Sequence, residues 1–213
     1  MEKNFNYTSL LGEGNPLLKY KELLEESLNE FSKTKFEDAS LNDILKRAHM
    51  SKGSFYHNFG DKFGLYLALM AIVVKKKMDF FSSEMELKQY SGDFFGTIRE
   101  LAKATMDFMF VDKRLHDLSN RYMEVSDELK SRIMEFFPYD FNKVFGGLIK
   151  SAIESGQIES RFSPDFILKM LEILLTNSYK LISINNGEAE LIKTLNELME
   201  CMQYGISAKK EEK

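Results

Sequence analysis

The chain has 213 residues, of which 44% are apolar, and its 29 basic and 33 acidic side chains leave a net charge of −4. This length suits one large domain or a small domain with a larger one, and the negative balance argues against a protein coated in basic charge. A single cysteine excludes an internal disulfide, and the scattered histidines give no metal-ligand spacing. No long apolar run and no signal-peptide pattern is present, so we expect a cytoplasmic protein without membrane segment, metal or cofactor.

Helical periodicity runs through nearly the whole chain. Only three prolines are present, and the alternation typical of strands is scarce, so the sequence predicts an all-α protein of about nine helices. Asn15 and Pro16 are typical of a helix start and predict a first helix that ends near Lys33. We expect the later helices at these places: from Lys62, from Phe94 to Phe110, from Leu115 to Tyr122, from Asp127 with an interruption at Pro138, from Pro164 to about Ile184, and up to about Ile206.

The stretch from residue 40 to residue 62 is the most informative. Ser40 and Ser51 can each cap a short helix, and His49–Met50 can form a tight turn between the two helices. The second helix begins with small and hydroxylated residues, as expected of a helix that lies in a DNA major groove. Residues 46–62 carry four basic side chains against one acidic side chain, a net charge of +3, whereas residues 1–45 carry −4. Positive charge is therefore concentrated on the segment that would read DNA.

The run Ser54-Phe55-Tyr56-His57-Asn58-Phe59, with Lys62 after a capping residue, resembles the DNA-binding segment of the TetR (tetracycline repressor) family of bacterial transcriptional regulators. This resemblance implies a three-helix, helix-turn-helix DNA-binding domain with an N-terminal extension in residues 1–62. A larger helical ligand-binding and dimerisation domain would occupy residues 63–208, before a solvated tail at 209–213. Lys35 and His49 stand where the family usually has Gly, so a left-handed backbone is expected at both.

The resemblance also implies how the segment meets double-stranded DNA, with the third helix in the major groove and the second crossing the backbone. Lys52 would then reach a guanine edge, Gly53 would let the helix lie close to the bases, and Lys62 would meet phosphate with help from the helix dipole. Helix capping alone would equally explain Ser40, and packing is an alternative for Tyr56. The predicted DNA contacts are Ser40, Ser51, Lys52, Gly53, Ser54, Tyr56, His57 and Lys62.

One such helix reads only a few base pairs, so a homodimer on a pseudo-palindromic operator is expected, as in the family. The last two helices carry apolar stripes at helical spacing, although these stripes could instead bury each other within one chain. The predicted interface residues are Ile167, Leu171, Leu174, Leu175, Ser178, Ile182, Leu191, Leu195, Leu198 and Met202.

The middle of the chain is rich in Phe and Met, which together can line an adaptable apolar pocket. The resemblance implies that a small hydrophobic effector binds there and releases a repressor from DNA. Ordinary core packing is the competing explanation for every one of these side chains. The predicted pocket residues are Phe95, Met106, Met109, Phe110, Met123, Phe136, Tyr139, Phe145 and Tyr179.

Two other functions compete with DNA-binding regulation. No nucleophile–base pair, paired carboxylates or Gly-rich phosphate loop stands out, so we do not expect an enzyme. The alternative is a helical dimer that binds a ligand or a partner and whose helix-turn-helix no longer reads DNA. The charge of residues 46–62 favours DNA binding over that alternative. Whether the regulator represses or activates does not follow from the residues, and only the family's habit favours a repressor.

Overall fold

The structure is a computed structural model that describes residues 5–87, 93–138, 141–177 and 188–206. Within these ranges the chain contains ten α-helices and no β-strand, which confirms the all-α prediction. The predicted number was about nine; the segment after Asp127 forms two helices instead of one interrupted helix. The helices are α1 (Lys21–Lys33), α2 (Leu41–Arg47), α3 (Lys52–Phe59), α4 (Lys62–Leu87), α5 (Phe94–Val111), α6 (Lys113–Glu124), α7 (Asp127–Met134), α8 (Phe141–Glu154), α9 (Pro164–Asn177) and α10 (Glu188–Ile206).

The start of the first helix differs from the prediction. Asn15 does cap a helical turn, since its Oδ1 accepts from the Leu17 N–H at 2.9 Å, but that turn is a short 3-10 helix, Pro16–Leu18. The α-helix begins only at Lys21. Two further 3-10 turns, Tyr7–Leu10 and Gly12–Gly14, precede it, so helical turns occupy most of residues 7–18.

The two expected left-handed positions behave differently. His49 has φ +51°, and among the described residues it is the one non-glycine with positive φ, which confirms the prediction for the turn between α2 and α3. The prediction for Lys35 is wrong. The α1 helix ends at Thr34 with extended backbone, and the Lys35 carbonyl accepts from both Asp38 and Ala39, so the chain turns without a left-handed residue.

The chain forms two compact units. Unit 1 comprises Met1–Ser83 and Asp107–Pro138, and unit 2 comprises Glu84–Met106 and Tyr139–Lys213. This grouping differs from the predicted boundary after residue 62, because α6 packs along α1 and shares its hydrophobic core. No described helix is long and apolar enough to cross a membrane.

The core of unit 1 is centred on the first two turns of α4. All residues from Phe63 to Leu69 are buried, so this part of α4 is enclosed on every side instead of presenting one apolar stripe. Phe31 of α1 contacts it, with a distance of 4.9 Å between the ring centroids of Phe31 and Tyr66. Phe55 and Phe59 of α3 are both fully buried in the same cluster. The position of α3 is therefore set by this shared core.

Unit 2 is held together by helices distant in sequence. The Phe94 N–H at the start of α5 donates to Gln157 Oε1 at 2.6 Å, in the connection between α8 and α9. Further along α5, Arg99 Nη2 donates to Gln203 Oε1 of α10 at 2.6 Å. Gly156, with φ +76°, lies two residues beyond the end of α8, in the left-handed conformation that commonly ends a helix.

Candidate nucleic-acid interface

Serine caps build the two helices of the helix-turn-helix, as predicted. Ser40 Oγ accepts from the Asp43 N–H at 3.3 Å at the start of α2, and Ser51 Oγ accepts from the Ser54 N–H at 3.2 Å at the start of α3. The Ser40 N–H in turn donates to Glu30 Oε1 of α1 at 3.1 Å. Both hydroxyl groups are therefore used within the domain, and each also lies at the N-terminal end of a helix, where backbone amides favour an anion.

The two faces of α3 are sharply different. Phe55 and Phe59 point into the core, with no exposed surface. Lys52 and His57 are exposed, and Tyr56 keeps 52% of its surface. A Cβ atom on Gly53 would have no heavy atom within 4 Å, so the space outside α3 is open at this point. The predicted contact residues on α3 therefore lie on one accessible side, with Ser54 half-buried at its edge.

Lys62 is engaged inside the domain. Its ammonium group donates to the carbonyl oxygens of Glu37 at 3.0 Å and Ala39 at 3.1 Å, and lies 4.8 Å from the centroid of the Phe36 ring. Burial lowers the pKa of Lys62, opposed by the nearby carboxylates. An ammonium group has three N–H donors. Two donors of Lys62 thus hold the loop between α1 and α2 against the start of α4. The predicted phosphate contact would use the third donor and stays a prediction.

The beginning of α1 lies at the same surface. Lys19, Tyr20 and Lys21 line a cleft of about 640 Å³ together with residues of the turn and of α3. Asn58 Nδ2 lies 3.5 Å from the hydroxyl oxygen of Tyr20, whose ring meets Phe59 edge-on at 6.4 Å between centroids. The sequence pattern does not single out these residues, because they are far from the helix-turn-helix in sequence. The pair Lys19 and Lys21 at the start of α1 is the available signal. The remaining residues of the cleft are Glu22, Leu23, Ala48, His49, Met50, Ser51 and Ser54.

Arg47 is one of the four basic residues of the segment 46–62, but its side chain is paired with carboxylates of α1. Its Nε donates to Glu26 Oε2 at 2.6 Å and its Nη2 donates to Glu30 Oε2 at 2.7 Å. The guanidinium thus joins α2 to α1, and Glu30 uses its other oxygen for the Ser40 N–H. Among the described residues, Lys19, Lys21, Lys46 and Lys52 are exposed and form no ion pair.

The predicted pocket residues fall into both units. Phe95 and Phe145 are buried in unit 2, and Met123 is half-buried in unit 1. Phe136 lies beside Tyr7 and Phe63 in unit 1, at 6.1 Å from each ring, so there it serves as an aromatic core contact. The predicted residues whose side chains lie outside the described part of the chain are Met106, Met109, Phe110, Tyr139 and Tyr179.

The predicted dimer residues are mostly interior where they are described. Three of them, Ile167, Leu171 and Met202, are buried by their own chain. A buried side chain has no surface left for a partner, so these three residues agree with the alternative in which the two stripes cover each other within one chain. Leu174 and Leu198 are half-buried. The side chains of the others lie outside the described residues: Leu175, Ser178, Ile182, Leu191 and Leu195. The same two helices expose other apolar side chains: Phe166, Ile173, Ile192 and Tyr204.

Comparison with known proteins agrees with this geometry. Residues 23–69 match the family model described as "Bacterial regulatory proteins, tetR family". The fold resembles that of a TetR family transcriptional regulator from Chloroflexus aurantiacus, with a TM-score of 0.68, 22% identity, and coverage of 91% of this chain and 95% of that one. A putative transcriptional regulator from Pseudomonas aeruginosa gives a TM-score of 0.67, 16% identity, and coverage of 89% and 92%.

A third solved structure, the ketosteroid transcriptional regulator KstR2 of Mycobacterium tuberculosis, gives a TM-score of 0.62, 15% identity, and coverage of 90% of this chain and 96% of that one. At these identities the likeness shows the fold. No curated protein sequence matches the chain. The match of the DNA-binding segment supports the expectation of a transcriptional regulator and not an enzyme.

Proposed function

We propose that this chain, a member of the TetR family of bacterial regulatory proteins by its DNA-binding segment, is a ligand-responsive repressor that binds its operator as a dimer. One observation carries this proposal. The exposed side of α3 presents Lys52, Gly53 and His57 next to the cleft that Lys19 and Lys21 line, while the opposite side of α3 is fixed in the core. A rigid helix with an open, basic and hydroxylated side is suited to the major groove.

Each side chain of this surface has a role in the proposed complex. Lys52 donates to a guanine edge, and Gly53 keeps the helix close enough for that contact. Tyr56 and His57 lie one turn further along α3 and reach phosphate or a thymine methyl. Lys19 and Lys21 lie across the cleft and neutralise phosphates of the same strand, which contributes affinity without sequence preference.

Dimerisation is proposed through the exposed side of the last two helices. Phe166 and Ile173 of α9 are 52% and 61% exposed, and their spacing of two helical turns places them on one face. Ile192 and Tyr204 are the exposed apolar side chains of α10. Two chains paired through these residues would carry two copies of α3, as a pseudo-palindromic operator requires.

Effector binding is proposed in unit 2, where Phe95 and Phe145 belong to the interior. An apolar or amphipathic molecule suits a lining of aromatic and Met side chains. To release the repressor, the effector must bind the DNA-incompetent state more tightly by the coupling free energy, typically about 1–3 kcal/mol.

The test is selection of duplexes from random DNA by the purified chain, followed by fluorescence anisotropy with the selected duplex between about 50 and 200 mM salt. Lys52→Ala should weaken binding by about 1–3 kcal/mol, the discrimination carried by a good base contact. Lys150→Ala, which removes the same charge from α8 in unit 2, is the matched control and should bind like the wild type. If no duplex is selected, the helical dimer that binds a ligand or partner becomes the better interpretation.

A further inference from the structure

The corner between α3 and α4 is unusually tight. Gly60 has φ +74° and ends α3, and Asp61 caps α4 by accepting from the Gly64 N–H at 2.8 Å. A Cβ atom on Gly64 would lie only 1.8 Å from the Phe59 carbonyl oxygen, so the backbones of the two helices touch here. Since α3 projects from this corner, whatever holds the corner also sets the direction of the DNA-reading helix.

The segment before α1 packs directly onto this corner. Tyr7 Oη donates to Asp61 Oδ2 at 2.7 Å, and the Phe5 ring covers Gly60 so closely that a Cβ there would lie 2.6 Å from Phe5 Cγ. Further along, Asn15 Nδ2 donates to the Ala68 carbonyl of α4 at 2.8 Å. Residues 5–18 are thus attached to α4 at both ends.

Helix α7 completes the same cluster. The guanidinium carbon of Arg132 lies 3.7 Å from the ring centroid of Phe63 and 5.5 Å from that of Tyr7. Phe136, just after α7, contacts both rings. Burial, and then the hydrogen bond to Asp61, raise the pKa of Tyr7, so the phenol stays a donor throughout the neutral range.

We infer that Tyr7 and Arg132 are positioning residues for DNA reading, which hold Asp61 and Phe63 and thereby fix the corner from which α3 projects. The DNA-reading part of this chain then includes residues 5–18 and α7, and neither lies within the 23–69 stretch that matches the family model. This inference rests on the proposed function, because it concerns the affinity of α3 for DNA.

Two substitutions isolate the contacts without removing the rings. Tyr7→Phe deletes only the hydroxyl group, and Tyr122→Phe, which removes the hydroxyl group of a half-buried tyrosine on α6 of the same unit, is its control. Arg132→Gln removes the cation above Phe63. Its control is Arg161→Gln in unit 2, where the guanidinium carbon also lies above a ring, at 4.8 Å from the centroid of Phe162. Arg132→Lys keeps a cation at the corner and should retain more affinity than Arg132→Gln.

The probe is the duplex selected by the wild-type chain, and the readout is Kd per active protomer, with the active fraction taken from stoichiometric titration well below the melting temperature. We expect each corner variant to bind about threefold to tenfold more weakly, as for loss of one hydrogen bond or cation–ring contact. The double variant should lose less than the product of the two, since both side chains act on one site.

Unchanged Kd per active protomer, with a lower melting temperature, would show a purely structural role and overturn the inference. Equal Kd for variants and controls would overturn it as well. If the wild type selects no duplex, the proposed function fails, and hydrogen exchange then tests separately whether Tyr7 holds the corner between α3 and α4. The Gly60 amide, bonded to the Tyr56 carbonyl at 3.1 Å, should exchange faster in Tyr7→Phe than in Tyr122→Phe, and equal exchange would refute that role of Tyr7.

Discussion

The same substitution, glycine to alanine, should have opposite effects on two neighbouring helices of the DNA-binding domain. On Gly64 of α4, a Cβ atom would lie 1.8 Å from the Phe59 carbonyl oxygen and 3.2 Å from Tyr7 Cε1. On Gly53 of α3, it would meet no heavy atom within 4 Å. The first substitution must displace backbone, whereas the second adds a methyl group to open space.

The magnitudes follow from these distances. To bring the new Cβ to 3.0 Å from the Phe59 oxygen, the Gly64 corner must open by 1.2 Å, and a carbonyl cannot rotate away as a side chain would. Overpacking costs about 1–3 kcal/mol, and we expect the upper end, with a fall in Tm of roughly 6–12 °C. Gly53→Ala should instead gain about 0.5–1 kcal/mol, because alanine restricts the unfolded chain and favours the helix.

The variant that is more stable than the wild type, Gly53→Ala, should nevertheless bind DNA more weakly. Gly53→Ala places its methyl group where α3 approaches the bases in the proposed complex, and should weaken binding by about 1–3 kcal/mol although the protein is more stable. Thermal unfolding, monitored by circular dichroism, measures the change in stability. Fluorescence anisotropy with the selected duplex measures the change in DNA affinity. Gly147→Ala on α8, which also meets no atom within 4 Å, is the control for stability without DNA contact. A wild-type Tm for Gly64→Ala would refute the tight corner, and wild-type affinity for Gly53→Ala would refute close approach to DNA.

Two further predictions concern charge inside unit 1. Arg47→Gln removes ion pairs to Glu26 and Glu30; because the Arg47 side chain is 43% exposed, urea unfolding should show a loss of only about 0.5–1 kcal/mol, reduced further by salt. Salt-independent or absent destabilisation would contradict this. Burial lowers the pKa of His116 from 6.5, so the unfolded chain takes up a proton below that pH before the folded chain does. The stability that neutral His116 contributes should therefore be present above pH 6.5 and be lost as the pH falls below it. The melting temperature of His116→Gln, measured on either side of pH 6.5, should fall less with pH than that of the wild type.

Local features of the helix-turn-helix could be predicted from the sequence, because they depend on residues only a few positions apart. The caps at Ser40 and Ser51 and the left-handed His49 are confirmed by hydrogen bonds and backbone angles within one turn of each residue. The failure at Lys35 has the same origin. A left-handed residue is one way to end a helix, and the extended Thr34 is another that the residue types do not exclude.

Long-range partners could not be predicted in this way. Periodicity marks Phe136 as apolar but does not tell whether it lines a pocket or packs beside Tyr7, more than a hundred residues earlier in the chain. Likewise, the charge of Lys62 suggests a phosphate contact, while its hydrogen bonds go to carbonyls 23 and 25 residues away. These contacts join residues far apart in the chain, so they depend on how the helices pack in three dimensions, which local sequence patterns do not reveal.

The attachment of α6 to the DNA-binding helices bears on how an effector signal could reach α3. Arg114, near the start of α6, donates to Glu25 Oε2 at 2.7 Å and to Asn29 Oδ1 at 2.9 Å, both on α1, while Asp112 holds the other side of its guanidinium. Beyond the far end of α6, the Ser126 N–H donates to Glu37 Oε1 at 3.4 Å. Sliding of α6 along α1 would break the contacts at both ends and disturb a shared core. We therefore expect α6 and α7 to move together with α1 to α3, so that the proposed effector would displace unit 1 without deforming the helix-turn-helix.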